Sequence, residues 1–223
     1  MGAISFSLDE RLLTLFTREL PLEVFVETGT FKGETLRMAT RHFEECHSVE
    51  LSADLHRAIS PQFATEPGVH LHHGESPAYL RAQSDAFLKR PVFFWLDAHW
   101  CVAEGTAGAD SQSPLLAELE ALGHLHPQSV VAIDDARLYL CPPPVPHRLA
   151  DWPDFHDLVC ALLDLSSTHR LMVMDDVILF YPERARTALE RHAHENGADW
   201  LKLARDAGRW RERKSRPKWW PFG

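Results

Sequence analysis

The chain predicts a doubly wound α/β domain, a mostly parallel seven-stranded sheet closed by a C-terminal antiparallel hairpin. Three observations carry that expectation. Short runs of strand formers alternate five times with amphipathic stretches of helical period, the pattern of a parallel sheet with crossover helices. One run, PVFFWLD at 91–97, is apolar on both faces, as a central parallel strand must be. Near the end, LMVMDDVILFY at 171–181 reads as two strands broken at Asp175-Asp176, a hairpin signal.

Each element has its own local reason. Residues 8–20 place Leu8, Leu12, Leu15 and Phe16 on one helical face, with Asp9 and Glu10 in the first turn and Pro21 as a stop. Val24, Phe25 and Val26 form the first strand, which ends in Glu27. Gly29 and Gly33 then flank a tight turn opening a helix from about 33 to 43. CHSVE is the second strand, ending in Glu50, and Ser52 can cap the helix after it. VHLHH at 69–73 runs into Gly74-Glu75-Ser76, where Ser76 reads as a cap and Pro77 as the first helical residue.

After the fourth strand comes a Gly/Ser/Ala-rich loop, 99–113. Ser113-Pro114 then restarts a helix bearing Leu115, Leu116, Leu119 and Leu122 on one face. SVVAID is the fifth strand and ends in Asp134-Asp135. The prolines of CPPPVP keep segment 137–153 irregular. Phe155, Leu158, Val159, Leu162 and Leu163 mark another helix. Residues 183–208 look helical and complete one domain, 1–208, with 209–223 as a basic aromatic tail.

Composition narrows the function. A chain of 223 residues, 45% hydrophobic, suffices for one sizeable core. Thirty-two acidic residues against 23 basic ones argue against a nucleic-acid-binding body. Charge is uneven, since Arg205–Gly223 holds seven Lys/Arg and two Asp/Glu. Trp210, Trp219, Trp220 and Phe222 among those cations suggest either a peripheral contact or a solubilising end. Cys46, Cys101, Cys141 and Cys160 form no C-x-x-C pair and read as free thiols of a reducing compartment. There is no secretory pattern and no apolar run near the roughly 20 residues needed to cross a bilayer. The expectation is a soluble, cytoplasmic protein.

The chemistry lies at the ends of the strands. Glu27, Glu50, Glu75, Asp97, Asp134 and Asp135 each end or follow a strand. An acid after a strand can simply cap the next helix. Five consecutive strands ending this way instead suggest a shared site, where carboxylates repel unless a cation or cationic cofactor sits among them. Glu50 is the most telling, because an acid ending the second strand can accept both ribose hydroxyls of an adenosine ligand.

With these residues in view, 20–181 resembles the class I S-adenosylmethionine-dependent methyltransferases and their Rossmann-like fold. ETGTFKG resembles their first motif, SVELS their ribose-binding acid, GES their adenine-side turn, and FWLDAHW and VAIDDARLY the motifs after strands four and five. Glu-x-Gly-Thr-Phe-x-Gly is more narrowly similar to the metal-dependent O-methyltransferases of catechol, caffeoyl-coenzyme A and macrocin type. The resemblance implies that Glu27, Gly29, Thr30, Gly33, Glu50, Glu75, Ser76 and Asp97 hold S-adenosylmethionine. It also implies that Asp97, Asp134 and Asp135 hold a divalent metal, Mg2+ by their all-oxygen chemistry. A metal-bound hydroxyl would then be the nucleophile.

The sequence also departs from that subgroup. Where the caffeoyl-coenzyme A type reads Asp-Ala-Asp-Lys, this chain reads Asp97-Ala98-His99-Trp100, losing an acid and a lysine. Asp97 and His99 become the catalytic candidates, His99 as general base or metal ligand, or as a loop residue that bonds backbone. Arg137 and Tyr139 can contact the acceptor, or Arg137 can pair with nearby acids. His70, His72 and His73 lack ligand spacing and read as strand-surface residues; Trp95 reads as core. The expected reaction is O-methylation of a small-molecule or glycosidic acceptor shaped by loops 99–113 and 137–153. Two rivals remain: a metal-dependent hydrolase on the same acids, and a non-catalytic cofactor-binding module docking through its tail.

Overall fold

The computed structural model describes residues 7–100 and 111–206. The outer part of the first loop and the basic tail expected at 209–223 therefore lie outside the described residues. Seven strands form one sheet in the order β3-β2-β1-β4-β5-β7-β6. These are β1 (Val24–Thr28), β2 (Glu45–Glu50), β3 (Val69–His73), β4 (Val92–Leu96), β5 (Val130–Ile133), β6 (His169–Met174) and β7 (Val177–Pro182). The first five are mutually parallel. β7 runs antiparallel to β5 and to β6, as the Asp175-Asp176 break predicts.

Period-two alternation sends side chains to two cores. Phe25, Phe93, Trp95, Val130 and Ala132 meet α1 (Glu10–Glu19), α2 (Glu34–Ala39), α3 (Ala53–Phe63) and α7 (Arg186–Asn196). Val24, Val26, Phe94, Leu96, Val131 and Ile133 meet α4 (Ser76–Phe87), α5 (Leu115–Leu122) and α6 (Phe155–Leu165). β4 is buried on both faces and carries no charged side chain from Val92 to Leu96. Phe93 stacks on Phe25 at 5.9 Å and meets Phe16 edge-on at 5.4 Å, tying α1 to the sheet centre.

Two expectations change. Ser76 does not cap α4; Glu75 occupies that position without a side-chain bond, and Ser76 turns inward. The helical stretch 183–208 is interrupted after Asn196. There the Ala198 N–H donates to Asp175 Oδ1 at 2.7 Å, so the hairpin turn takes a backbone group the helix would have used. Residues 200–206 are helical again. Among the described residues no helix is long and apolar enough to cross a membrane, and Cys46, Cys141 and Cys160 are free.

Between β1 and β4 the strand order reverses. In open α/β sheets, a crevice forms at the carboxyl ends of the strands flanking such a reversal.

Candidate active site at the carboxyl edge of the sheet

On the β1–β2 side, the turn after Thr28 is built by glycine. Gly29 has φ +84°, and a Cβ there would stand 2.4 Å from the Asp97 backbone oxygen. Only a residue without a side chain lets the turn after β1 pass so close to the one after β4. Phe31 also has positive φ, at 47°. Its N–H donates to Glu50 Oε2 at 2.9 Å, while Glu50 Oε1 accepts from the Ser52 N–H at 2.8 Å. Glu50 thus binds two turns together and still has lone pairs free, since a carboxylate offers about four acceptor sites.

Glu27 lies at the buried centre. Its Oε2 accepts from Ser48 Oγ at 2.6 Å, and Ser48 Oγ lies 2.6 Å from Thr30 Oγ1. Burial raises the Glu27 pKa to about 8, against the Ser48 bond, with Asp97 and Glu50 adding to the rise. A second buried acid is Glu118 on α5, which accepts from Ser76 Oγ at 2.5 Å. Burial lifts it to about 7, against its bonds with Ser76 and Thr28. Glu75 is exposed and caps α4 without a side-chain bond.

On the β4–β5 side, His99 sits between Asp97 and Asp135. Its Nε2 lies 3.1 Å from Asp135 Oδ2 and 3.3 Å from Asp97 Oδ1, aimed squarely at neither, so the attraction is ionic. Nδ1 faces the Trp100 carbonyl at 3.2 Å. Nδ1 can donate to that carbonyl, and an imidazolium would carry its second proton on the nitrogen that lies between the two aspartates. Burial by itself would lower the His99 pKa, but Asp135 and Asp97 raise it to about 9. Burial likewise works against Asp135 ionising, yet His99 and Arg137 hold its pKa down to about 2. Asp97 is raised by burial and by Asp134, and Asp134 is raised by burial and by Asp135.

Arg137 is the second cation. It pairs with Asp135 at 2.6 Å and with Asp176 of the hairpin turn. Asp176 Oδ1 also accepts the Arg137 N–H at 2.9 Å. Of the two roles open to Arg137, ion pairing is the one observed.

The loops after β4 and β5 lock through Gln112. Its carbonyl accepts the Trp100 N–H at 2.7 Å, and its Oε1 accepts the Arg148 N–H at 2.7 Å and Trp152 Nε1 at 3.2 Å. Trp152 lies 5.6 Å from the His99 ring, 5.3 Å from Tyr139 and 5.1 Å from His147, which meets Trp100 at 5.6 Å. Cavities of about 460 Å³ between α1 and α7, and 380 Å³ near the amino ends of β2 and β3, lie away from this edge.

A divalent metal does not fit the three aspartates as they stand. Both Asp135 oxygens face cations of the chain, and Asp134 Oδ2 accepts from Ser7 Oγ at 2.9 Å, leaving only Oδ1 without a partner. Among the described residues, the trio of metal-ligand type whose donor atoms lie within 4.8 Å of one another is Glu45, His47 and His70, well outside the crevice.

No family model matches the sequence, and a search of curated proteins finds no relative. Solved structures do resemble it. Human methyltransferase-like protein 13, in complex with S-adenosylhomocysteine, aligns over 89% of this chain and 98% of its own, at 15% identity and TM-score 0.51. A Streptococcus mutans protein provisionally named a methyltransferase, also with S-adenosylhomocysteine, covers 77% and 96% at 7% identity and TM-score 0.53. A Klebsiella pneumoniae protein provisionally named an O-methyltransferase covers 81% and 84% at 13% identity and TM-score 0.52. The fold is that of the methyltransferases. Identities this low establish architecture and no more.

Glu27, Gly29, Thr30, Glu50, Asp97, His99, Asp134 and Asp135 all lie in the strand-end turns and on the strand ends of this edge. Ser76 joins them through Glu118, while Gly33 packs against Phe63 as the left-handed cap of α2. Sequence reading missed Glu118 and Asp176. Glu118 was signalled by being a charge on an otherwise leucine stripe with Leu115, Leu119 and Leu122. Asp176 carried no local signal beyond its turn.

Proposed function

We propose that this chain is an S-adenosylmethionine-dependent methyltransferase that methylates a hydroxyl oxygen of a small-molecule or glycosidic acceptor. The observation that carries the reading is the row of acids along the switch-point edge, with Glu50 held by two backbone N–H groups at the end of β2. When bound, S-adenosylmethionine supplies an electrophilic methyl group on a cationic sulfur. Glu50 accepts the ribose hydroxyls, Glu27 takes the ammonium end, and Ser76 with Glu118 borders the adenine. Asp97, raised toward neutrality, accepts the acceptor's proton. The His99 imidazolium holds Asp97 and Asp135 together without clash and does not itself act as the base, because its proton is already in place. Trp100 and His147, half-buried and backed by Trp152, offer ring faces for a phenol or sugar. Magnesium is left out of this scheme because His99 and Arg137 already supply the positive charge beside Asp135.

Calorimetry of S-adenosylmethionine and S-adenosylhomocysteine tests the cofactor assignment. Replacing Glu50 with Ala removes charge-assisted bonds of about 1.5–3 kcal/mol each. Affinity should therefore fall at least about tenfold, whereas Glu50→Gln, which keeps an acceptor and the shape, should lose less. Unchanged affinity in a folded Glu50→Ala overturns the assignment. Turnover that disappears on chelation and returns with Mg2+ would overturn the metal-free scheme.

A further inference from the structure

We infer that the outer face of β2 and β3 carries a site for a borderline divalent cation of the zinc class, held by Glu45, His47 and His70. The site is independent of the proposed methyl transfer and lies on the α4 side of the sheet, at its edge.

The placement follows from sheet register. Residues 45 and 47 of β2 project to one face by period two, and His70 is the parallel partner of His47 across the ladder. The rings of His47 and His70 consequently stack at 4.7 Å. Glu45 Oε1 stands 2.9 Å from His47 Nε2, and one donor atom from each of the three residues lies within 4.8 Å of the other two. Ligands at about 2.0–2.1 Å from a tetrahedral zinc ion are about 3.3 Å apart. Small side-chain rotations would therefore close the set. Two imidazoles and one carboxylate are a donor combination zinc accepts, with a position left for water.

The surroundings suit ligands more than a chance cluster. Arg90 Nη1 holds Glu45 Oε2 at 2.7 Å, leaving Oε1 turned toward His47. Tyr79 Oη lies 2.7 Å from His47 Nδ1 and can fix the tautomer that presents Nε2 to a metal. His72 stacks beyond, at 5.6 Å from the His47 ring. β3 is an edge strand, and a metal spanning His47 and His70 would staple it to β2. His70 finds its fellow ligands across the ladder on β2 and not along its own strand.

The test uses the untagged full chain after chelator treatment. Calorimetry should show one equivalent of Zn2+ bound, with no binding of Mg2+ at this site. Zn2+ should raise the melting temperature of the wild type. His70 is exposed, so His70→Ala should melt like the metal-free wild type and should lose both the binding and the zinc-dependent rise. Tyr79→Phe should bind about tenfold more weakly, since it loses only an outer-shell partner. Zinc bound by His70→Ala with wild-type stoichiometry and affinity, or no zinc bound by the wild type, overturns the site. Neither result bears on the S-adenosylmethionine assignment, because no ligand of this site lies in the crevice.

Discussion

The two sides of the sheet's carboxyl edge hold their acids with different partners. On the β4–β5 side, Asp97 and Asp135 flank His99, and Arg137 closes the row by pairing with Asp135 and Asp176. On the β1–β2 side, Glu27 and Glu50 are held by hydroxyls and backbone N–H groups, and among the described residues neither pairs with a cation. Neutral donors do not cancel a buried charge, so the Glu27 pKa climbs to about 8. The difference indicates where a cationic guest gains most: it belongs beside Glu27 and Glu50. On the β4–β5 side His99 and Arg137 supply positive charge beside Asp97, Asp135 and Asp176, while Asp134 accepts from the Ser7 hydroxyl.

The most damaging way to disturb this division is to separate the halves. Gly29→Ala drives a Cβ into the Asp97 carbonyl at 2.4 Å and forces a positive φ. Left-handed backbone costs about 1–2 kcal/mol for a residue with a side chain. With the clash added, the loss should reach about 3–5 kcal/mol, or roughly 10 °C in melting temperature. A variant that melts and binds as wild type would show that the close approach of the β1 and β4 turns is dispensable.

Asp135→Asn comes next, and tests the self-neutralised half. It removes one partner from both His99 and Arg137, a loss of about 2–4 kcal/mol for a largely buried pair. The sign with pH is fixed by the shifts. The His99 pKa is raised, so its contribution is full below about 6.5 and disappears as pH rises through about 9. The Asp135 pKa is depressed, so its contribution is full above about 3.8 and lost as pH falls through about 2. Denaturant melts should therefore show the largest deficit of the variant between about pH 4 and 6.5 and a smaller one near pH 10. A deficit independent of pH would mean that Asp135 acts through packing alone.

Much of this contrast was not legible in the sequence. The parallel strands announced themselves through apolar runs ending in acids, and the hairpin through Asp175-Asp176. Those are local signals. The local partners, Asp97 for His99 and Asp135 for Arg137, lie two residues away, but the second partner of each cation is set by tertiary placement: the sheet order brings His99 to Asp135 and Arg137 to Asp176. Asp176 looks like turn chemistry until β7 pairs with β5 and brings the turn under Arg137. Spacing along β3 does not reveal that the ladder sets His70 beside His47 of the neighbouring strand. Glu118 alone was readable in principle, as the one charge on a buried helical face.

The smallest predicted effect probes the half that lacks a cation. Burial raises Glu27 from 4.5 to about 8, so the folded state keeps a proton that the unfolded chain has lost, and the cost grows as pH rises through that interval. Glu27→Gln removes the cost while keeping an acceptor for Ser48, and should stabilise the ligand-free protein by about 1–2 kcal/mol at pH 7.5. Near pH 5 the gain should vanish, because Glu27 is protonated there in any case. The same group should give up its proton when a cationic ligand binds beside it. Calorimetry of S-adenosylmethionine at pH 7 in buffers of different ionisation enthalpy should then show release of up to about one proton. Glu27→Gln should release less and bind more weakly. Equal proton release by wild type and Glu27→Gln would place the positive end of the ligand elsewhere, and the contrast between the two halves would no longer explain where the guest sits.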